Sequence, residues 1–529
     1  MINSSQLYLK REQFFIQIRK QAREEIFSRK RHTNLNSDLD GELKCLPDEL
    51  IVQIYKSFMV KDFQSLKSLL FKYNEQLLLI IVKQQQGDEV MMNQYINHFS
   101  INQDATQLFM QILRMSDVQL DSNIEEIRVK CLNLVIIILI NLTYGNTPQI
   151  INNLLNHNFL DIIFNDVLGR MNSKQKLAQN YDEWQLIIES LSQLLINLLL
   201  DLKDERGVQI KIEIMKSSFL NIWHYVYREF PPQILWSSML FLQQMIFFNP
   251  SIPDTEIVSL SLQRILQQCD YVITELSEQT QLYEAALILI NYCSKHQLET
   301  TIILTKPVWV KILLINKYPL VMYSTFINLT SKQYDEDSPI SNLNVEKQLL
   351  ENGILNNMLS WLQNQPDEQL IIKIYKCLNN ILIYQYQHLA NVVISHFLPF
   401  LDLYFEGTTY YQEEIVNEYL ILLKNLIIFQ KLNDKNVIQI LEEYNIFKQI
   451  KEILLQGCFQ TWLIMNLFEA FDLLSIQFKL LILNKMVQYQ IVETFHLFIS
   501  RNDISQDFIE TLQEYIENWQ SEIYELNNQ

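Results

Sequence analysis

The stretch that decides the fold is ILINLTYGNTPQIINNLLNHNFLDIIF, residues 138–164. An apolar segment ends in LINL, a turn follows at Gly145, and two more segments carry apolar residues at helical spacing. From about Leu46 onward the chain repeats this arrangement, with short polar joints such as residues 331–339 and 363–369. The alternation typical of strands is hardly visible. The pattern predicts amphipathic helices joined by short turns.

Composition supports an all-helical chain. Of 529 residues, 49% are hydrophobic, but only 8 are glycine and 11 are proline. Antiparallel β-proteins need turn glycines at regular intervals, and Rossmann or barrel enzymes need glycine at their βα turns. This glycine content serves neither plan, so the composition favours helices with glycine-poor connections.

A short phrase, apolar-x-x-Asn-apolar, returns along the chain with a mean spacing of about 46 residues. That period is typical of armadillo and HEAT solenoids. We therefore predict an all-α fold, a right-handed superhelical armadillo-repeat solenoid preceded by a basic N-terminal helix. The amide positions of the phrase, which we call the ladder residues, are Asn141, Asn197, Gln244, Asn291, Asn328, Asn380, Asn425 and Asn466.

The ladder residues have two interpretations. Stacked repeats place equivalent residues in a line, and a line of amides along a concave groove can bond the backbone of an extended peptide. Alternatively, each amide ends a helix or bonds a backbone carbonyl in the core. The sequence leaves both interpretations open.

The N-terminal stretch KREQFFIQIRKQAREEIFSRKRH, residues 10–32, differs from the rest of the chain. Residues 1–31 hold eight Lys or Arg and three Glu, whereas the whole chain has a net charge of −18, so residues 32–529 carry −23. On a helix, Phe14, Ile18 and Ala22 share one face. Such a segment is a marginal helix alone and can order on an acidic receptor surface. A basic helix packed on the first repeat is the alternative, and a membrane-surface helix is a rarer option.

This stretch and the repeat period together resemble the importin-α family of nuclear import adaptors. The N-terminal pattern is similar to the family's importin-β-binding domain, and the resemblance spans roughly residues 10–520. It implies an importin-β-like receptor as partner, with Arg29, Lys30 and Arg31 also able to occupy the chain's own groove as an autoinhibitor. The residues implied in receptor binding are Lys10, Arg11, Arg19, Lys20, Arg23, Arg29, Lys30 and Arg31.

The resemblance also implies a domain plan and further partners. It comprises a basic segment at 1–32, a linker at 33–46, a solenoid of about nine or ten repeats at 47–520, and a tail at 521–529. Basic cargo peptides, which are nuclear localisation signals, would bind a groove lined by the ladder residues and Trp462. An export factor would bind the C-terminal repeats, and the protein would shuttle between cytoplasm and nucleus.

The groove departs from the family pattern in one respect. In the family a tryptophan lies four residues before each ladder amide and clamps the stem of a cargo lysine. Only Trp462 keeps that place here, and Lys376 would oppose a basic cargo. We therefore expect weak binding of ordinary lysine-rich signals. The other residues at this position are Ile137, Gln193, Leu240, Leu287, Ser324 and Ile421.

Motifs of other functional classes are missing from the sequence. There is no Walker loop, GxGxxG, HExxH or nucleophile elbow, and the six cysteines and eight histidines are dispersed. We expect no enzyme activity, cofactor or metal. The acidic body predicts no direct nucleic-acid binding, and the apolar run at 131–142 is too short to cross a bilayer. A non-transport armadillo scaffold and a helical-repeat subunit of an enzyme complex remain as alternatives.

Overall fold

A computed structural model describes most residues of the chain. These are residues 47–85, 103–115, 122–143, 148–168, 181–201, 211, 214, 228, 232–247, 256–295, 302–315, 317–331, 344–364, 366–383, 389–407, 412–430, 432–444, 446–457, 460–474, 476–499 and 506–527. Within them the regular structure is helical and contains no strand, which confirms the predicted all-α class.

The helices divide between two compact units, Met1–Leu142 and Thr143–Gln529. The first unit contains α1 (Pro47–Met59), α2 (Phe63–Gln85), α3 (Gln103–Leu113) and α4 (Ser122–Leu142). The second unit contains α5 (Pro148–Asn156), α6 (Phe159–Asp161), α7 (Tyr181–Asp201), α8 (Pro232–Phe247), α9 (Glu256–Glu275), α10 (Thr280–Cys293), α11 (Pro307–Leu314), α12 (Pro319–Thr330), α13 (Val345–Glu351), α14 (Ile354–Gln363), α15 (Glu368–Leu382), α16 (Leu389–Val392), α17 (Leu398–Gly407), α18 (Glu413–Phe429), α19 (Asp434–Ile438), α20 (Ile446–Gln456), α21 (Thr461–Asp472), α22 (Ile476–Gln488), α23 (Ile491–Ile499) and α24 (Gln506–Asn527).

Three of the short helices continue as π-helical turns. α6 continues through Ile162–Val167, α16 through Val393–Phe397 and α19 through Gln439–Glu443. The last two turns start 46 residues apart, which matches the period of the repeated phrase.

In the first unit, α2 packs against both α1 and α4, and α3 packs against α4. Leu50, Ile54, Leu66 and Leu70 have no exposed surface and lie at the centre of the α1–α2 pair. The buried guanidinium of Arg128 in α4 is paired with Glu125, and its Nη1 donates to the carbonyl of Met115 at 2.9 Å. A buried cation needs such partners because desolvation penalises an unpaired charge.

Proline and left-handed residues set the joints between helices. Five of the described helices start at proline, which lacks the backbone N–H that the first helical turn leaves unpaired. Gly353, with φ +87°, separates α13 from α14. Asn158 and Gln490 adopt φ +56° and +54° at the joints before α6 and α23. Asparagine and glutamine thus adopt the left-handed conformation that glycine usually supplies at turns, and glycine is scarce in this chain.

Two predicted boundaries can be compared with these helices. The predicted polar joint at 363–369 lies between α14 and α15, where the Asp367 carboxylate caps α15 by accepting from the backbone N–H of Leu370 at 2.8 Å. α24 runs past residue 520 to Asn527, so the predicted tail at 521–529 is largely helical.

Candidate protein-binding face

The ladder residues all lie in helices, and seven of these helices form one layer in the second unit. Each packs against the next in the order α7, α8, α10, α12, α15, α18 and α21. We call these the ladder helices. In the first unit the remaining member of the set, Asn141, lies in α4. The recurring phrase therefore marks structurally equivalent helices, as the repeat interpretation predicts.

The ladder amides make hydrogen bonds between neighbouring helices. Asn291 Nδ2 donates to Thr325 Oγ1 at 3.2 Å, and Asn328 Nδ2 donates to Ser294 Oγ at 2.9 Å, so α10 and α12 are joined by two reciprocal bonds. One helix further along, Asn380 Nδ2 donates to Thr330 Oγ1 at 3.0 Å. These bonds offset the cost of placing amides between packed helices.

The same arrangement recurs towards both ends of the chain. Asn197 Nδ2 donates to Thr143 Oγ1 at 3.2 Å, and Asn425 Nδ2 donates to the backbone carbonyl of Asn379 at 3.2 Å. Within the first unit, Asn141 Nδ2 donates to Asn74 Oδ1 at 2.8 Å. Six of the eight ladder amides therefore donate to a neighbouring helix or to a turn next to one.

Exposure separates the ladder residues into two groups. Asn141 and Asn425 are buried, with 8% and 4% of their surface exposed, and fit the core interpretation. The half-buried members keep part of their surface towards solvent, as the groove interpretation requires; they are Asn197, Asn291, Asn328, Asn380 and Asn466. Gln244 lies in α8. Their assignment to cargo binding stays a prediction.

Sequence reasoning missed the partners of the amides. The acceptors Thr325 and Thr330 are common residues with no distinguishing pattern, so no local signal identified them. Asn379 and Gln243 each lie one residue before a predicted ladder residue, and both are buried. Asn379 also lies 46 residues before its partner Asn425, so the repeat period itself could have found this pair.

The positions four residues before the ladder amides differ in exposure. Lys376 and Trp462 are exposed, whereas Gln193, Ser324 and Ile421 are half-buried. The set also contains half-buried Ile137 in the first unit, half-buried Leu240 and buried Leu287. Two of the eight positions are therefore exposed, five are half-buried and one is buried, and their side chains present mixed chemistry.

Trp462 is the exposed aromatic residue of this set, with 50% of its surface exposed. Its Nε1 donates to Gln460 Oε1 at 2.9 Å, and the backbone N–H of Gln460 donates to Asn417 Oδ1 in α18 at 2.9 Å. The indole is thus tethered at the junction of α18 and α21. A held aromatic ring with an accessible face loses little entropy when it binds a partner.

A charged cluster lies at the neighbouring junction of α15 and α18. Asn379 Nδ2 donates to Glu418 Oε2 at 2.8 Å and to the Glu418 backbone carbonyl at 3.0 Å. Burial raises the pKa of Glu418, while the Asn379 hydrogen bond and the charges of Lys376 and Lys373 oppose that rise. Lys376 itself is exposed, one helical turn before Asn380 in α15.

Metal and thiol chemistry has little support in the described part of the chain. No group of three or more His, Cys, Asp or Glu side chains there could hold a metal ion. The described cysteines, which are Cys131, Cys269, Cys293 and Cys377, are buried free thiols. Burial raises the pKa of the Cys131 thiol to about 12, which keeps it protonated and unreactive at neutral pH.

The predicted receptor-binding residues and the autoinhibitory set lie outside the described residues. They are Lys10, Arg11, Arg19, Lys20, Arg23, Arg29, Lys30 and Arg31. Among the described helices, none is long and apolar enough to span a bilayer.

Comparisons with known proteins establish the fold class. No protein-family model matches the chain, and no curated protein matches it. Solved structures do match, 49 chains in all. One is the crystal complex of SYS-1/POP-1 at 2.5 Å resolution, which aligns with a TM-score of 0.52 and 12% sequence identity over 91% of this chain and 86% of that chain. The likeness confirms an armadillo-repeat fold and does not single out importin-α within it. The chain is an all-α armadillo-repeat solenoid.

Proposed function

We propose that this protein is a non-catalytic armadillo scaffold that binds partner proteins along its ladder helices. The observation that carries the proposal is the row of equivalent positions in α15, α18 and α21, which are consecutive ladder helices; it holds exposed Lys376, half-buried Ile421 and exposed Trp462. An exposed aromatic ring held by a hydrogen bond is typical of protein-binding surfaces. The SYS-1/POP-1 crystal is a complex, which is compatible with such a role.

The scaffold proposal is tested by peptide selection on the full-length protein. A random peptide library is selected against the protein, and the enriched peptides are measured by fluorescence anisotropy. If Trp462 anchors the partner, Trp462→Ala weakens binding by about 2 kcal/mol, roughly 30-fold in Kd. Leu403→Ala is the matched control, because Leu403 is 69% exposed in α17, outside the ladder helices. If Trp462→Ala and wild type bound the peptides equally well, the proposal that partners bind at this face would be rejected.

A nuclear import adaptor is the more specific candidate, and the basic stretch at residues 10–32 is the observation that favours it. In this version an importin-β-like receptor binds that stretch, basic cargo peptides bind the ladder face, and an export factor binds the C-terminal repeats. Lys376 argues against a basic cargo at α15, so any such cargo is expected to bind weakly there.

Receptor binding separates the two candidates. A reporter fused to residues 1–44 binds importin-β and enters nuclei if the adaptor proposal holds, and its affinity falls as salt rises because screening weakens charge attraction. A reporter in which Arg19, Lys20 and Arg23 are changed to Ala is the control and stays cytoplasmic. If the unmodified reporter neither binds the receptor nor enters nuclei, the scaffold proposal alone remains.

A further inference from the structure

The first described helix exposes an apolar face. In α1, Val52, Tyr55 and Met59 are 50%, 48% and 58% exposed. They are spaced at i, i+3 and i+7, so they lie on one side of the helix. The core side of α1 is formed by Leu50 and Ile54, which are fully buried. α1 therefore has a second apolar stripe, and about half of the surface of that stripe is exposed.

Such a face is unusual in a repeat stack, because each repeat covers the apolar surface of its neighbour. Here the exposed stripe lies on the helix that begins at Pro47, and 46 residues precede that proline. The chain itself therefore supplies a segment next to the uncovered face.

We propose that residues 10–32 cover this face, with Phe14, Ile18 and Ala22 packed against Val52, Tyr55 and Met59. The two stripes match in kind, since each is a row of apolar side chains spaced at about one helical turn. α1 contains 13 residues and is about 20 Å long. The 14 residues at 33–46 can span up to about 50 Å, so the segment reaches either end of α1.

The contact is apolar rather than electrostatic. In sequence, α1 and the turn after it contain Asp48, Glu49, Lys56, Lys61 and Asp62, which together carry a net charge of −1. This surface therefore offers the basic segment little net charge. Because the segment is covalently connected to α1, its effective concentration there is in the millimolar range. A weak apolar contact is therefore enough to populate the packed state. Binding to an acidic receptor depends on salt, whereas this contact does not.

The consequence is competition for one segment. Any partner that captures residues 10–32 uncovers the apolar stripe of α1, so the first unit changes its surface when the partner binds. This exchange takes place within the unit Met1–Leu142 and does not involve the ladder helices of the second unit.

Limited trypsin digestion of the full-length protein tests the proposal. Packing protects Arg19, Lys20 and Arg23 from cleavage, and the cleavage rate follows the unpacked fraction. Tyr55→Glu with Met59→Glu is expected to raise the cleavage rate there about tenfold, which corresponds to about 1.4 kcal/mol. Both residues are half exposed, so the fold tolerates the change, and circular dichroism checks it. Gln53→Glu with Gln64→Glu is the control, because it adds the same charge at exposed positions off the stripe.

A second pair of variants closes the test. Phe14→Ser with Ile18→Ser raises cleavage by a similar factor, and adding it to the α1 variant gives no further rise, because both remove one contact. The wild-type rate stays constant between about 0.05 and 0.5 M salt. The proposal is overturned if the α1 variant is cleaved at the wild-type rate, or if the control variant is cleaved as fast as the α1 variant. Protection that falls on dilution identifies a second copy as the occupant and also overturns it.

Discussion

Asn425 in α18 donates its Nδ2 to the backbone carbonyl of Asn379 in α15, and the two residues are 46 positions apart in the sequence. Asn379 in turn donates to the backbone carbonyl and the carboxylate of Glu418 in α18. The helices are therefore joined by amides that point in both directions across one interface. This bonding fixes the register between α15 and α18, because a shift of either helix by one residue breaks both contacts.

Loss of the Asn425 amide is expected to destabilise the second unit. Asn425→Ala removes the hydrogen bond that the buried Asn425 amide donates to the Asn379 carbonyl. The loss is expected to lower the free energy of unfolding by about 1–3 kcal/mol. Urea unfolding followed by circular dichroism measures the change. Asn466→Ala is the control, since Asn466 holds the same ladder position in α21 but is half-buried and has no hydrogen bond to the described residues. Equal losses in the two variants would contradict the structural role of the bond.

Stability is expected to fall between about pH 4.5 and pH 7 because of Glu346. This α13 residue is 5% exposed, and burial raises its pKa from the ordinary value 4.5 to about 7. Below pH 4.5 the carboxyl is neutral in both states, and its contribution is fully present. As pH rises towards 7, the unfolded chain releases the proton first, so up to about 3 kcal/mol is lost.

Glu346→Gln isolates that contribution. The amide cannot titrate, so the variant lacks this part of the pH dependence, and its advantage over wild type grows from pH 5 to pH 8. Thermal unfolding across the same pH series measures it. Glu442→Gln, at an exposed position, is the control and should follow the wild-type curve. If the stability of Glu346→Gln depended on pH as strongly as that of wild type, another group would be responsible for the effect.

Gly353→Ala is expected to cost roughly 1–2 kcal/mol through the backbone alone. Gly353 has φ +87°, and a Cβ built there meets nothing within 4 Å, so there is strain without a clash. Chemical denaturation measures the loss. Asn356→Ala, at an exposed helical position of α14, is the comparison and should change stability by less than about 0.5 kcal/mol. A loss far above the expected range would point to a clash that the geometry does not contain.

The C-terminal helix is held by an aromatic cluster. Trp519 in α24 is 4% exposed, and its ring lies 4.6 Å from that of Phe468 and 6.0 Å from that of Phe495. Trp519→Ala should cost about 3–5 kcal/mol and release α24, which hydrogen exchange over Gln506–Asn527 would detect. Trp462→Ala, at a 50% exposed site, should leave stability nearly unchanged. Similar losses in both variants would be inconsistent with this division between core and surface tryptophans.

The fold followed from the sequence because two periods agreed. Apolar spacing predicted helices, and the recurrence of residues such as Asn380 and Asn425 placed equivalent helices in one layer. The fold class is confirmed by that layer and by the likeness to the SYS-1/POP-1 complex. What the sequence did not predict was the division at Leu142 and Thr143, since the apolar periodicity continues on both sides of it.

The candidate site was harder to predict than the fold. A period locates Asn425 and Asn466 at equivalent positions, but it does not tell which one is buried and bonded, because that depends on the distance to the next helix. Thr325 and Thr330 became partners only through packing. The exposed stripe on α1 was also missed, since Val52, Tyr55 and Met59 looked like ordinary core residues of an amphipathic helix. A single sequence does not show which apolar face has a neighbour.

The π-helical turns at Val393–Phe397 and Gln439–Glu443 determine where the chain can change length. A π-helical turn holds one residue more than the α-helical turn it replaces. Removing one residue there restores an ordinary turn and keeps the flanking side chains on their original faces. The same deletion in α15 or α18 rotates every later side chain by about 100° and turns the apolar stripe away from its neighbour. Single-residue deletions in this solenoid are thus expected to be tolerated at these π-helical turns and to disrupt packing in the helices between them.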